Sequence, residues 1–260
     1  MGSRLAVCWK LVPDTAAPLR VAADGITLDR TGVALVANPY DEFALEQALR
    51  LREHEPAGTE VVLLTLADAT DGDGLFHGLA MGADRALVLE ASAATAADPS
   101  ATATALADAL RDLAPDLVLC GDQAVDDQAS QVGARIAGLL GWPLTTGVRE
   151  LRPGSDGVPP RAVRLRDGRH ETFALERPGV VTFVRGPELP RYPSLPAIFA
   201  AGSRPVTRRR LPPGEALPGC RRLALAAPGE QRAGRIVTAE DPGPAAAELL
   251  TLIAQATHGL

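Results

Sequence analysis

Apolar and polar positions divide the chain into two regimes. Through residue 140, short apolar runs alternate with stretches whose apolar residues recur every three to four positions. The runs at 5–9, 60–66, 86–89 and 116–120 predict buried strands, and the periodic stretches at 39–53, 71–81, 100–113 and 128–140 predict helices. In the last of these, Val132, Ile136, Leu139 and Leu140 fall at helical spacing. Asn38 stands where a helix cap belongs, with Pro39 at the first helical position. Residues 19–35 carry a turn signal at Asp24-Gly25 and predict a hairpin. Strands alternating with helices of this length predict an α/β fold whose doubly wound, mostly parallel sheet is covered on both faces.

Beyond Trp142-Pro143 the pattern changes. Runs at 148–151, 163–166, 171–175 and 180–184 predict short antiparallel strands separated by Pro, Gly and Asp turns. From 186 to 219 prolines are dense and no period survives, which predicts an extended arm without a core of its own. A final helix is expected over 244–255. The organisation is therefore an α/β domain over 1–186, a loop over 187–205, and a C-terminal arm and helix over 206–260.

The turn between the run 116–120 and the helix after it is the most informative segment. It begins at Gly121, carries the pair Asp126-Asp127, and opens a helix. A strand, a glycine turn and the positive end of a helix make a site for a phosphate. The ends of neighbouring strands and the starts of helices converge there: Cys8-Trp-Lys10, Asn38 to Asp41, Leu66 and the turn itself. They can line one adenine-nucleotide pocket, since ligands of such sheets bind at the carboxyl ends of the strands. The aspartates suit helix capping or ribose hydroxyls and disfavour extra phosphates, so a mononucleotide is expected. Neither GxxxxGK[ST] nor GxGxxG occurs.

Composition narrows this further. A net charge of −6 over 260 residues argues against nucleic acid, and the one basic cluster, Arg208-Arg-Arg210, reads as a solvated or partner-facing loop. Lys10 is the only lysine. No apolar run reaches membrane-spanning length, the start is too soon interrupted by charge for a signal peptide, and a cytoplasmic protein is expected. Cys8, Cys120 and Cys220 form no CxxC, and Cys8 and Cys120 read as buried, inert thiols. The four histidines have no metal-ligand spacing, and no catalytic constellation is evident.

Six motifs in order carry a family resemblance. They are Val7-Cys-Trp-Lys10 with Pro13-Asp14, Asn38-Pro-Tyr-Asp-Glu-Phe-Ala-Leu-Glu46, Leu79-Ala-Met-Gly-Ala-Asp-Arg85, the turn from Gly121 to Gly133, Gly141-Trp-Pro143, and Arg191-Tyr-Pro-Ser-Leu-Pro196. Together, over about 4–205, they resemble the beta subunit of electron transfer flavoprotein. The resemblance implies an adenine-nucleotide alpha hydrolase-like sheet and a heterodimer with an alpha subunit that carries FAD. It implies AMP in the pocket above, touched by Cys8, Asn38, Pro39, Tyr40, Asp41 and Leu66. Along the turn it adds Gly121, Asp122, Gln123, Ala124, Val125, Asp126, Asp127, Gln128, Ala129, Ser130, Gln131 and Val132.

The resemblance also places Tyr40 and Thr15 beside the partner's FAD. It makes Arg191, Tyr192, Pro193, Ser194, Leu195, Pro196, Ala197, Ile198, Phe199 and Ala200 a recognition loop for a flavin dehydrogenase such as an acyl-CoA dehydrogenase, with Leu195 as anchor and a quinone reductase as electron acceptor. Two departures stand out. The loop continues as the nearly neutral Ala200-Ala-Gly-Ser-Arg-Pro205 where relatives usually carry lysines. Ser130-Gln-Val-Gly133 is closer to the form of flavin-bifurcating members, which hold a second FAD in place of AMP. An ATP-pyrophosphatase-type enzyme is the alternative outside the family, but Leu11-Val-Pro-Asp14 occupies the place of its pyrophosphate loop.

Overall fold

The computed structural model describes residues 3–55, 57–67, 74–91, 98–154, 158–211, 223–226 and 241–257. In chain order the strands of the first half are β1 (Arg4–Cys8), β2 (Leu11–Pro13), β3 (Arg20–Val21), β4 (Leu28–Asp29), β5 (Leu35–Ala37), β6 (Glu60–Ala67), β7 (Arg85–Glu90) and β8 (Leu117–Gly121). The helices α1 (Pro39–Glu53), α2 (Gly74–Met81), α3 (Pro99–Leu113) and α4 (Val132–Leu140) alternate with them. Then follow β9 (Leu144–Arg152), β10 (Arg161–Arg166), β11 (Arg169–Ala174), β12 (Gly179–Phe183), α5 (Leu195–Ala201), β13 (Val206–Arg210) and α6 (Pro242–Thr257).

Nine strands form one sheet in the order β11-β10-β9-β12-β8-β1-β6-β7-β13, parallel from β9 to β13. The apolar alternation explains its two-sided cover. Leu5, Val7 and Trp9 pack into a core with Ala44, Leu45 and Leu49 of α1, whereas Ala6 and Cys8 face Leu106 and Leu110 of α3 and Ile136 of α4. Each fully buried leucine here contributes about 1.5–3 kcal/mol. From β1 the chain winds outward to β6 and β7, then returns with β8 to the other side of β1. That reversal opens a crevice between the carboxyl ends of β1 and β8.

Several expectations need correction. The run at 180–184 belongs to β12, which is parallel to β8 and to β9 and lies inside the sheet. Every residue of β12 is buried, and burial on both faces is the mark of a parallel strand. Only β10 and β11 continue the sheet antiparallel. They are joined at Asp167-Gly168, both with positive φ as a tight hairpin turn requires.

The proline-dense stretch is not wholly an extended arm either. It contains α5, and β13 pairs with β7 as a further parallel strand. Arg208 and Arg209 are thus strand residues, paired with Glu90 and Asp112 rather than carried on a loop. Prolines flank these elements, so the period is lost although the elements form. Most of 212–240, including Cys220, lies outside the described residues, as does the start of the helix expected from 71. The hairpin around Asp24-Gly25 is present as β3 and β4. No described helix is long and apolar enough to cross a membrane.

Candidate functional site

The crevice holds a cavity of about 480 Å³. Its floor is the carboxyl ends of β1, β6 and β8, with Cys8, Leu64, Leu66 and Cys120 among the lining side chains. Cys8 and Cys120 are neighbours, and that contact together with burial pushes the Cys120 thiol well above its ordinary pKa. It stays protonated and is a poor nucleophile.

Asp41, in the first turn of α1, ties the two strand ends together. It accepts the backbone N–H of Lys10 at 2.7 Å and of Gly121 at 2.9 Å. Burial raises its pKa from 3.8 to about 7, against the opposing pull of these two N–H groups. Gly121 is required beside it, because a Cβ there would lie 2.4 Å from Asp41 Oδ1 and 2.7 Å from Tyr40 Cβ.

Asn38 does not cap α1 with its side chain. Its Nδ2 donates to the carbonyl of Gln123 at 2.9 Å and its Oδ1 accepts from the N–H of Val125 at 3.3 Å. An amide that can both donate and accept thus straps the turn to the helix start. Tyr40 accepts a bond from Gln123 Nε2 at 3.1 Å, and Asp122 takes the hydroxyl of Thr182 at 2.6 Å.

Asp126 and Asp127 lie 2.7 and 2.9 Å from the ammonium of Lys10. Burial works against that charge, but the two carboxylates outweigh it and hold the Lys10 pKa above the ordinary value. These aspartates therefore do not cap α4.

The helix itself starts at Val132, four residues later than the pattern suggested. Gln128 and Ser130 adopt left-handed backbone at φ +50° and +52°, which breaks the helical run before it begins. The change alters where a phosphate would sit. Gln131 makes no side-chain cap, so the first-turn N–H groups of α4 have neither an intrahelical acceptor nor a cap. Alternating left-handed residues before a bare helix start form an anion-binding concavity. Gly133 keeps α4 close to the sheet, since its Cβ would meet Thr182 Cγ2 at 2.7 Å.

Of the residues expected at the nucleotide, the cavity is lined by Cys8, Asn38, Asp41, Leu66, Gly121, Asp122, Gln123, Ala124, Asp126, Asp127, Ala129, Ser130, Gln131 and Val132. Pro39, Tyr40, Val125 and Gln128, also expected there, are not among its lining residues. Thr15 is exposed and outside it. The cavity also takes Thr27, Leu28 and Arg30 from the hairpin, and Thr102 and Leu106 from α3. Nothing local in the sequence marks those residues, because only the sheet order brings them near. Among the described residues no His/Cys/Asp/Glu group could hold a metal ion.

The expected recognition loop is partly helical. Ser194 caps α5 by accepting from Ala197 N–H, with Pro196 in its first turn, and α5 rests on α2. Tyr192 is 90% exposed, Leu195 72% and Phe199 83%. Pro193 is buried. Arg191 turns inward to Glu46 and Glu53 of α1, and the bonds to Glu46 first, then Glu53, raise its pKa above the ordinary arginine value.

Comparison with known proteins follows the same lines. The family model for the electron transfer flavoprotein domain matches residues 25–213. The chain is 37% identical over 201 residues to the electron transfer flavoprotein subunit beta of Bradyrhizobium diazoefficiens, covering 77% of this chain and 78% of that one. It is 39% identical over 212 residues to the mitochondrial subunit beta of Oryza sativa subsp. japonica, covering 79% and 81%. It is also 36% identical over 206 residues to the caffeyl-CoA reductase-Etf complex subunit CarD of Acetobacterium woodii, covering 78% and 77%. A parallel sheet with a crevice at its switch point and these matches lead to one conclusion: the chain belongs to the electron transfer flavoprotein family, among its beta subunits.

Proposed function

We propose that this chain is the AMP-binding half of a heterodimeric electron transfer flavoprotein. The observation that carries the reading is the bare, left-handed entry to α4 facing the cavity, where N–H groups of the helix start can hold one phosphate. The adenosine would lie over the floor formed by Cys8, Leu64 and Leu66. The FAD carried by the alpha subunit supplies the redox chemistry. This chain helps enclose that flavin near Tyr40, holds the cleft in shape, and offers Tyr192, Leu195 and Phe199 to a flavin dehydrogenase acting on an acyl-CoA. Electrons then leave toward a quinone reductase. No side chain of this chain takes part in bond making.

The second reading places another FAD in the beta cavity, as in bifurcating members. Ser130-Gln-Val-Gly133 favours it. Mass spectrometry of nucleotides released from the co-purified heterodimer separates the two. One AMP and one FAD are expected, whereas two FAD and no AMP would establish the second reading in its place.

A further inference from the structure

Arg191 opens the docking segment, yet its polar atoms are engaged by α1. Its backbone N–H donates to Glu46 Oε2 at 3.0 Å. Its Nε reaches the same oxygen at 2.8 Å, one terminal nitrogen reaches Glu46 Oε1 at 3.0 Å, and the other reaches Glu53 Oε1 at 2.7 Å. The fork-on-fork pairing with Glu46 is the strong, directional form of a charged hydrogen bond. Glu46 is only 4% exposed and so cannot itself touch a docking protein. Removing Arg191 would leave that buried carboxylate with Arg50, at 3.5 Å, as its remaining cation.

Position makes this pairing matter. Glu46 and Asp41 lie on the same helix, about 7.5 Å apart along its axis. The first turn of α1 builds the cavity through Asn38 and Asp41, and its later turns hold Arg191. Immediately after Arg191, buried Pro193 pins the chain again, and α5 presents the exposed apolar side chains. A stiff mount lowers the ordering entropy lost when such side chains bind.

We propose that Arg191 is a positioning residue: clamped by Glu46 and Glu53, it fixes the docking segment 192–201 to the helix that builds the nucleotide cavity, and its charge is not offered to the partner. The inference rests on the docking role given above for that segment. It assigns recognition to the apolar surface and orientation to the ion pair. Charge steering at this point of the interface is correspondingly weak.

The test uses the full heterodimer with an acyl-CoA dehydrogenase as probe. Variants are Arg191→Met, Glu46→Gln, Arg191→Lys and the Arg191→Met/Glu46→Gln pair. Two quantities are read: hydrogen exchange of the 191–201 amides, and KM against kcat for the heterodimer as electron acceptor. Each of Arg191→Met and Glu46→Gln is expected to speed exchange by about 10- to 100-fold. Each should also raise KM with kcat retained, and the pair should be no worse than either single variant. Exchange of the α1 amides should be unchanged, and Arg191→Lys should restore part of the protection. If Glu46→Gln does not fold, the comparison of Arg191→Met with Arg191→Lys carries the test. A KM increase in Arg191→Met with wild-type exchange, not reproduced by Glu46→Gln, would overturn the proposal and make Arg191 a partner contact. Faster exchange with an unchanged KM would uphold the clamp and sink the docking role of the segment.

Discussion

Asp41 offers the sharpest quantitative expectation, because one buried carboxyl is set against two backbone donors. Its folded value lies at about 7, against an ordinary 3.8. The folded state therefore binds this proton more tightly than the unfolded chain. The resulting stability is fully present below about pH 3.8, is lost as pH rises, and is gone above about pH 7. Each tenfold in proton affinity is worth about 1.4 kcal/mol, so the loss between pH 5 and pH 8 comes to about 2–3 kcal/mol. For a chain of this size that corresponds to a fall in Tm of about 5–10 °C.

Asp41→Asn keeps the shape of the side chain and does not titrate. Thermal unfolding of the nucleotide-free chain is measured for both proteins from pH 5 to 8 at constant ionic strength. Subtracting the variant's Tm from the wild type's removes every other titrating group, and the difference should fall by that amount. A flat difference would refute the reasoning. It would mean that the N–H groups of Lys10 and Gly121 outrank burial and keep Asp41 ionised throughout this range.

Gly121→Ala should cost about 1–3 kcal/mol in urea unfolding, because its Cβ meets Asp41 and Tyr40. Gly138→Ala, where a Cβ meets nothing within 4 Å, should instead stabilise by about 0.5–1 kcal/mol. Equal effects would remove the packing argument. Lys10→Met breaks partly exposed ion pairs and should change stability by less than about 1 kcal/mol. It removes the cation beside Asp126 and Asp127 at the cavity, so titration calorimetry should find weaker AMP binding, more so at low salt. Leu195→Ala should leave unfolding within about 0.5 kcal/mol of wild type while weakening dehydrogenase docking by about tenfold or more. Unaltered docking would remove Leu195 as anchor.

Much of the half that builds the crevice is legible along the chain. The run at 116–120, the glycine turn and the helix face of Val132 and Ile136 sit next to one another in sequence, and such local signals survive without tertiary information. Asn38 was placed at the right spot but given the wrong partner. A cap and a strap to Gln123 and Val125 look alike until the turn lies beside the helix. The apolar period predicts the helix start too early because it is blind to Gln128 and Ser130, whose backbone is left-handed. The local pattern predicts β12 as an antiparallel strand because its neighbours in sequence, β10 and β11, are antiparallel. Its neighbours in space are β8 and β9.

The sequence by itself determined the α/β alternation, the central buried strands, and the chemistry available at the turn, since period and residue type act over a few neighbouring positions. It also carried the family, through six spaced motifs. Only the tertiary structure decided how distant charges combine. Lys10 meets Asp126 and Asp127 across 116 and 117 positions, and Arg191 meets Glu46 across 145. Electrostatic and hydrogen-bond partners are chosen by distance in space, and the order of the strands sets that distance.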